Sequence, residues 1–86
     1  MNLPGPSAKM LVGVKRFGQS VINEIIWLPE TTLDERIRLT AGRPLGGKRF
    51  AHLAIVAARV VQEQRKNAAG KAMSDALRRL AEEALR

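Results

Sequence analysis

The sequence predicts an all-α fold, a small bundle of three to four helices with a flexible N-terminal lead. Two observations favour this fold class. Apolar residues recur at spacings of three and four along most of the chain, and helix-capping residues stand where several of these runs begin. With 86 residues and a mass of 9.5 kDa, the chain is long enough for only one domain. We therefore expect a single helical domain over residues 8–86, preceded by a flexible lead over residues 1–7.

The first predicted helix covers about residues 8–28. The lead before it contains two prolines and a glycine within residues 4–6, which oppose regular structure. The apolar side chains that follow share one helical face: Met10, Val14, Phe17, Val21, Ile25 and Leu28. The β-branched residues late in this run leave a short buried strand over residues 21–28 as an alternative. Pro29 then ends the element, because the α conformation is disfavoured for the residue before a proline.

A short second helix is predicted by a capping box at Thr32 and Glu35. In this pattern the Thr hydroxyl and the Glu carboxylate each accept a hydrogen bond from the other residue's backbone N–H. The helix should continue through Leu39. A loop over residues 40–47 follows, because three glycines and a proline there interrupt any periodic element.

The third predicted helix, over about residues 48–66, is apolar on nearly all sides. Between Phe50 and Val61 its only polar residues are His52 and Arg59. Such a helix is buried on several sides, either in the core of its own domain or against a partner. We therefore expect it to be the central element, with possible self-association or a protein partner along it.

Ser74 and Asp75 predict the start of a final helix. Serine is a favoured N-cap residue, and a carboxylate in the first turn favours the positive end of the helix dipole. Gly70 marks the break before this helix, within residues 67–71. A single glycine does not force a break, so one long helix over residues 48–86 is the alternative.

The charge of the chain is +7, and it lies almost entirely in the C-terminal half. Residues 1–40 carry five basic and four acidic side chains, whereas residues 41–86 carry ten basic and four acidic ones. A field of one sign raises the local concentration of polyanions and speeds their capture. We therefore expect the partner to be nucleic acid, DNA or RNA, or a nucleoprotein complex.

Several classes of protein are disfavoured by what the sequence lacks. It has no cysteine, which excludes a disulfide scaffold and a thiolate zinc site. His52 is the only histidine, and no other histidine or carboxylate stands at helical ligand spacing beside it. No serine carries a nucleophile signature. We expect no metal, no cofactor and no enzymatic activity.

Membrane association is not expected either. No apolar run approaches the roughly 20 residues that span a bilayer. The N-terminus also lacks the basic region and apolar stretch of a signal peptide. These features predict a cytoplasmic protein.

Residues 42–48 match the G-x-x-x-x-G-K skeleton of a phosphate-binding loop. The next residue is Arg49, so the hydroxyl that binds magnesium in such loops is absent, and Pro44 removes one N–H donor. A chain of this length also cannot hold the parallel sheet of nucleotide hydrolases. What remains is a site for a single phosphate, where two glycines lead into a helix that begins with Lys48 and Arg49. An ordinary turn with solvated charges is the alternative.

The basic residues divide into two candidate groups for nucleic-acid binding. The loop group consists of Arg43, Lys48 and Arg49, and the second group consists of Arg65, Lys66 and Lys71. We expect both groups to contact phosphates without reading bases. The chain has two Phe, one Trp and no Tyr, so a base-stacking platform is not expected. A helix-turn-helix with residues 74–86 as the recognition helix is less favoured, because its turn would be longer than usual.

Three short segments carry one further pattern: RF at residues 49–50, VAAR at residues 56–59 and ALRRLAEE at residues 76–83. Together they resemble the core of the RNA polymerase omega subunit, with one residue more between the first two segments than in that family. The resemblance implies an alternative function, a small regulatory or inhibitory subunit that docks on a larger machine. Trp27 and the apolar central helix favour the same alternative, because such side chains concentrate binding energy at interfaces.

Overall fold

Four α-helices, and no β-strand, occur within residues 19–86, which are the residues that the computed structural model describes. Helix α1 is described over residues 19–26, and the other three helices are α2 (Leu33–Thr40), α3 (Gly47–Gln64) and α4 (Ala68–Ala84). The all-α prediction is confirmed for this part of the chain. The predicted lead and the first half of the first predicted helix lie outside the described residues.

Helix α1 ends at residue 26, three residues before Pro29. The strand alternative for residues 21–28 is therefore wrong. Side chains from later in the chain satisfy the carbonyl groups that the end of the helix leaves unpaired. The Thr31 hydroxyl donates to the Ile25 carbonyl at 2.7 Å, and Arg36 Nε donates to the Ile26 carbonyl at 2.7 Å. These contacts fix the path of the chain from α1 to α2.

The capping box at the start of α2 is confirmed. The Thr32 N–H donates to Glu35 Oε1 at 2.9 Å, and the Glu35 N–H donates to Thr32 Oγ1 at 3.2 Å. The helix extends one residue beyond the predicted Leu39. Gly42 follows it with φ +77°, a left-handed conformation that glycine adopts without steric cost.

Helices α3 and α4 pack against each other and form most of the core. Alanines of both helices are buried in this core beside larger residues of α1 and α3. The least exposed large side chains of the core are Phe50, Ile22, Ile25, Leu53, Leu77, Leu80, Val21 and Val61. The apolar breadth of the central helix is thus largely explained by packing within this chain. Among the apolar side chains of α3, Ile55, Val56 and Val60 remain partly exposed.

The junction between α3 and α4 differs from the predicted one. The chain breaks at residues 65–67, so the single long helix over 48–86 is wrong, and α4 begins six residues before Ser74. Asn67 is the N-cap, and its Oδ1 accepts from the Gly70 N–H at 2.8 Å. Gly70 therefore lies inside α4, where a Cβ would overlap the backbone carbonyl of Arg65.

At the opposite end of the hairpin, Gly47 lies against the last turn of α4. A Cβ on Gly47 would overlap the Ala84 carbonyl oxygen. Close backbone approaches at Gly47 and Gly70 therefore fix both ends of the α3–α4 pair. This arrangement leaves a surface groove near the turn, where the second predicted group of basic residues lies.

Candidate anion-binding groove

An open groove of about 740 Å³ lies between the C-terminal half of α3 and the N-terminal half of α4. We call it the α3–α4 groove. Residues at spacings of three and four share one face of a helix, which explains why these two stripes meet. The α3 side and the turn contribute Arg59, Gln62, Glu63, Arg65 and Lys66, and the α4 side contributes Asn67, Ala68, Lys71 and Ser74.

The groove is positively charged, because four cationic side chains line it and Glu63 is its only carboxylate. Arg59 and Lys66 are exposed, and neither forms an ion pair within residues 19–86. Lys71 Nζ lies 3.5 Å from Asp75, with the Lys71 side chain 80% exposed. Such a loose surface pair contributes little, so Lys71 is available to an anion. Arg65 is held more firmly, because its Nη2 lies 2.9 Å from Glu24 Oε2.

Ser74 is the only buried residue among those that line the groove. Its residue surface is only 3% exposed, and its hydroxyl makes no hydrogen bond to any protein group in the described part of the chain. No side-chain nitrogen or oxygen there is both fully sealed from solvent and unpaired. The Ser74 hydroxyl therefore keeps its accessible surface inside the groove. The sequence predicted Ser74 as the N-cap of the final helix. That prediction is wrong, because Ser74 lies about two turns inside α4.

A hydrogen bond joins the two helices one turn beyond Ser74. Arg78 Nη2 donates to Gln62 Oε1 at 3.2 Å, from α4 across to α3. Gln62 is itself a lining residue, and Arg59 lines the groove one helical turn farther from the turn at residues 65–67, so the groove extends past this bridge on the α3 side. From Asn67 to Ser74 the helix rises by about 10 Å, at about 1.5 Å per residue. This length is suited to a small ligand or to the end of a larger one.

Arg49, from the loop group, forms hydrogen bonds to other groups of the protein. Its Nε donates to Glu35 Oε2 at 2.6 Å, and its Nη2 donates to Glu35 Oε1 at 2.9 Å and to the Glu30 carbonyl at 2.8 Å. The Arg49 hydrogen bond is the main cause that lowers the pKa of Glu35 from 4.5 to about 2, and hydrogen bonds from Thr32 add to it. The same bond raises the pKa of Arg49. Arg49 therefore joins α2 to the start of α3.

The rest of the loop group lies apart from the α3–α4 groove. Arg43 and Lys48 are exposed and form no ion pair within the described residues. The sequence predicted a site for a single phosphate where Gly46 and Gly47 lead into α3, which requires a ligand close to the backbone there. At Gly47 that close approach is made by the Ala84 carbonyl, whereas Gly46 faces open space. The structure thus brings Arg65, Lys66 and Lys71 together in one groove and leaves Arg43, Lys48 and Arg49 outside it.

Six of the nine groove residues are absent from the predicted site, and among them are Arg59 and Ser74. The signal for Arg59 was its spacing of seven residues from Lys66, which places both on one stripe with His52 and Glu63. These four side chains are all exposed, as expected of a solvated edge. Within residues 19–86, no three His, Cys, Asp or Glu side chains are placed to hold a metal ion.

Comparisons with protein-family models, curated sequences and solved structures gave no match to this chain, and so no support for the omega-subunit resemblance. None of the helices within residues 19–86 combines the length and apolar character needed to cross a bilayer. The α3–α4 groove, with its geometry and its positive charge, is therefore the feature of this chain that suggests a function.

Proposed function

We propose that this chain is a small cytoplasmic, non-enzymatic protein that binds nucleic acid through phosphate contacts, with the α3–α4 groove as its main contact surface. The observation that carries the proposal is the convergence of Arg59, Lys66 and Lys71 from two helices on one groove. Arg65 adds a fourth positive charge there, although Glu24 balances it in part.

Phosphate contacts account for this arrangement better than base contacts do. Lysine and arginine at a rim neutralise phosphates and release the counterions that nucleic acid condenses around itself. Base reading by stacking would need aromatic side chains, and none of the groove residues is aromatic. We therefore expect binding that depends steeply on salt and weakly on sequence.

The salt dependence of binding tests the proposal. We would measure the affinity for a labelled duplex DNA, and for a single-stranded RNA, by fluorescence anisotropy over a series of salt concentrations. The test variant carries Arg59→Gln, Lys66→Gln and Lys71→Gln. On duplex DNA its log–log salt slope should flatten by up to about 2.7, at about 0.9 per lost contact. Arg65 stays unchanged because it forms an ion pair with Glu24, so its replacement would also remove a contact within the protein.

The matched control removes three exposed cations outside the groove, with Arg43→Gln, Lys48→Gln and Arg79→Gln. Both variants lose the same formal charge, so a difference between them reports position and not net charge. The control should lose less than half as much slope as the test variant. An equal loss of salt slope in both variants would contradict the groove as the main contact surface. A larger loss of slope in the control would assign the main contact to Arg43, Lys48 and Arg79.

A second candidate function, an accessory subunit that docks on a larger protein, is favoured by exposed apolar side chains near α2. Trp27, Leu33 and Ile37 are 74%, 70% and 59% exposed. Leu33 and Ile37 are one helical turn apart, and Arg36 beside them donates to the carbonyls of Ile26 and Leu28, which flank Trp27. Docking through these side chains would respond little to salt, so the same titration separates the two functions.

A further inference from the structure

We infer that the α3–α4 groove takes a terminal phosphate monoester, with the Ser74 hydroxyl as a hydrogen-bond donor to it. This inference rests on the proposed function and adds the chemical form of the ligand. A monoester can be the phosphorylated end of a nucleic-acid strand or the phosphate of a free nucleotide, and the experiment below distinguishes the two sources.

The Ser74 side chain is buried and has no hydrogen-bond partner among the described residues. A hydroxyl buried to this degree normally bonds to a protein group, often a backbone carbonyl of the preceding turn. Ser74 is 3% exposed and makes no such bond within residues 19–86, while its oxygen keeps access to the groove. The hydroxyl is therefore available to donate a hydrogen bond to a ligand that enters the groove.

Cationic side chains line the same groove as that hydroxyl. Lys71 precedes Ser74 by about one turn on α4, and Arg59 lies on the α3 wall of the same groove. A phosphate monoester carries a charge of about −1.5 to −2 at neutral pH and offers three acceptor oxygens. Two cationic side chains and one hydroxyl thus match its charge and its number of acceptors. Charge-assisted hydrogen bonds of this kind are shorter and stronger than neutral ones.

The shape of the groove favours a terminal phosphate over an internal one. An internal phosphate of a strand carries a sugar on each side, and both sugars would have to enter for the phosphate to reach a nearly buried hydroxyl. A terminal phosphate carries only one sugar and can enter end-on. The volume of about 740 Å³ is within the usual range for sites that hold a small ligand.

The test compares two single-stranded oligonucleotides that carry nearly the same charge. One is phosphorylated at its 5′ end, and the other is one nucleotide longer with hydroxyl ends, so that its additional phosphate is internal. At a fixed salt concentration the parent should bind the phosphorylated strand at least about tenfold more tightly, which is typical of a hydrogen bond to a charged group. Ser74→Ala should reduce this preference to less than about twofold.

The variants are chosen so that a folding defect cannot be mistaken for a lost contact. The Ser74 hydroxyl has no protein partner, so its removal should leave the helical circular dichroism and the Tm unchanged or slightly raised. Ser20→Ala is the matched control, because Ser20 lies on α1 and outside the groove. Lys71→Gln is a second variant, at a side chain that is 80% exposed, and should also reduce the preference.

The outcomes separate this inference from the proposed function. Equal binding of the two strands overturns the monoester inference and leaves the proposed function standing, and so does a preference that survives Ser74→Ala. A nucleoside monophosphate that binds while neither strand does supports the monoester and overturns nucleic acid as the ligand. If the monophosphate competes weakly and the strand preference holds, the strand end is the ligand. Binding of none of the three probes overturns both.

Discussion

Replacing Glu35 with glutamine should weaken the junction between α2 and α3 while keeping the capping box. In the capping box, a glutamine oxygen can still accept the hydrogen bond from the Thr32 N–H. The substitution removes the negative charge that pairs with Arg49, and it replaces the Oε2 acceptor of the Arg49 Nε–H with an amide NH2 group that cannot accept. Its effect reports the ion pair, in which Arg49 donates two hydrogen bonds to the carboxylate, the shorter at 2.6 Å.

The magnitude follows from the pKa of Glu35. A fall from 4.5 to about 2 corresponds to an upper bound of about 3 kcal/mol, at about 1.4 kcal/mol per pKa unit. The Glu35 side chain is 14% exposed, but that of Arg49 is 39% exposed, so solvent screens the pair. We therefore expect Glu35→Gln to lower the free energy of unfolding by about 1–2 kcal/mol at neutral pH. For a domain of this size, that loss corresponds to a fall in Tm of about 5–15 °C.

The pH dependence has a definite sign. The folded-state pKa of Glu35 lies below its unfolded value, so the ionised carboxylate stabilises the fold above about pH 4.5. This stabilisation is lost as the pH falls from there towards about 2, where the folded protein also takes up the proton. The difference in unfolding free energy between the parent and Glu35→Gln should shrink over the same pH window.

Urea denaturation followed by far-ultraviolet circular dichroism, repeated between neutral pH and about pH 2, measures this difference directly. Glu82→Gln is the matched control, because Glu82 is exposed and its side chain forms no ion pair within the described residues. The control should change the free energy of unfolding by less than about 0.5 kcal/mol. A difference for Glu35→Gln that stays constant over the whole pH range would refute the assignment of the stabilisation to its charge.

Two further predictions concern the hairpin and the groove. Gly70→Ala should lower the free energy of unfolding by at least about 2 kcal/mol, because its Cβ would overlap the Arg65 carbonyl, whereas Gly46→Ala should be neutral because its Cβ faces open space. Urea denaturation measures both, and equal effects would contradict the close contact. Glu63→Gln should tighten binding to duplex DNA by about twofold or more by removing the one carboxylate of the groove, and Glu82→Gln should not. Anisotropy titration measures this change, and no difference between the two variants would argue against binding in the groove.

The elements of this fold that were predictable are those specified by local signals. The capping box at Thr32 and Glu35 involves residues three positions apart, and both of its hydrogen bonds form as the pattern indicates. The start of α4 was misplaced because two nearby residues satisfy the same local rule. Asn67 and Ser74 are both favoured N-cap residues. The geometry of the turn favours Asn67, because Gly70 then lies against the Arg65 carbonyl in the first turn of α4.

The candidate site was predictable only in part for the same reason. Arg65, Lys66 and Lys71 are close in sequence, so their clustering needed little knowledge of the fold. The burial of Ser74 follows from its place on the face of α4 that α3 covers, together with Leu77 and Ala81, and it could not be predicted while Ser74 was taken as the start of the helix. Arg49 was expected to be free for phosphate, but its partner Glu35 lies 14 residues away, on a different helix. An ion pair at that separation has no local sequence signature.

The charges at the two ends of α3 differ in whether they are neutralised within the protein. Substitutions can therefore change the stability of the fold and its binding of anions separately. At the N-terminal end, Glu35 neutralises Arg49, and Gly47 packs against the Ala84 carbonyl. At the C-terminal end, the cations of the groove outnumber the single carboxylate that lines it. Arg49 and Lys66 are 17 residues apart, which is about 25 Å at the rise of an α-helix. This distance exceeds the Debye length of about 10 Å at 0.1 M salt, so the charges at one end are screened from those at the other. Glu35→Gln should therefore change stability without changing the salt slope of binding, and the substitutions in the groove should do the reverse.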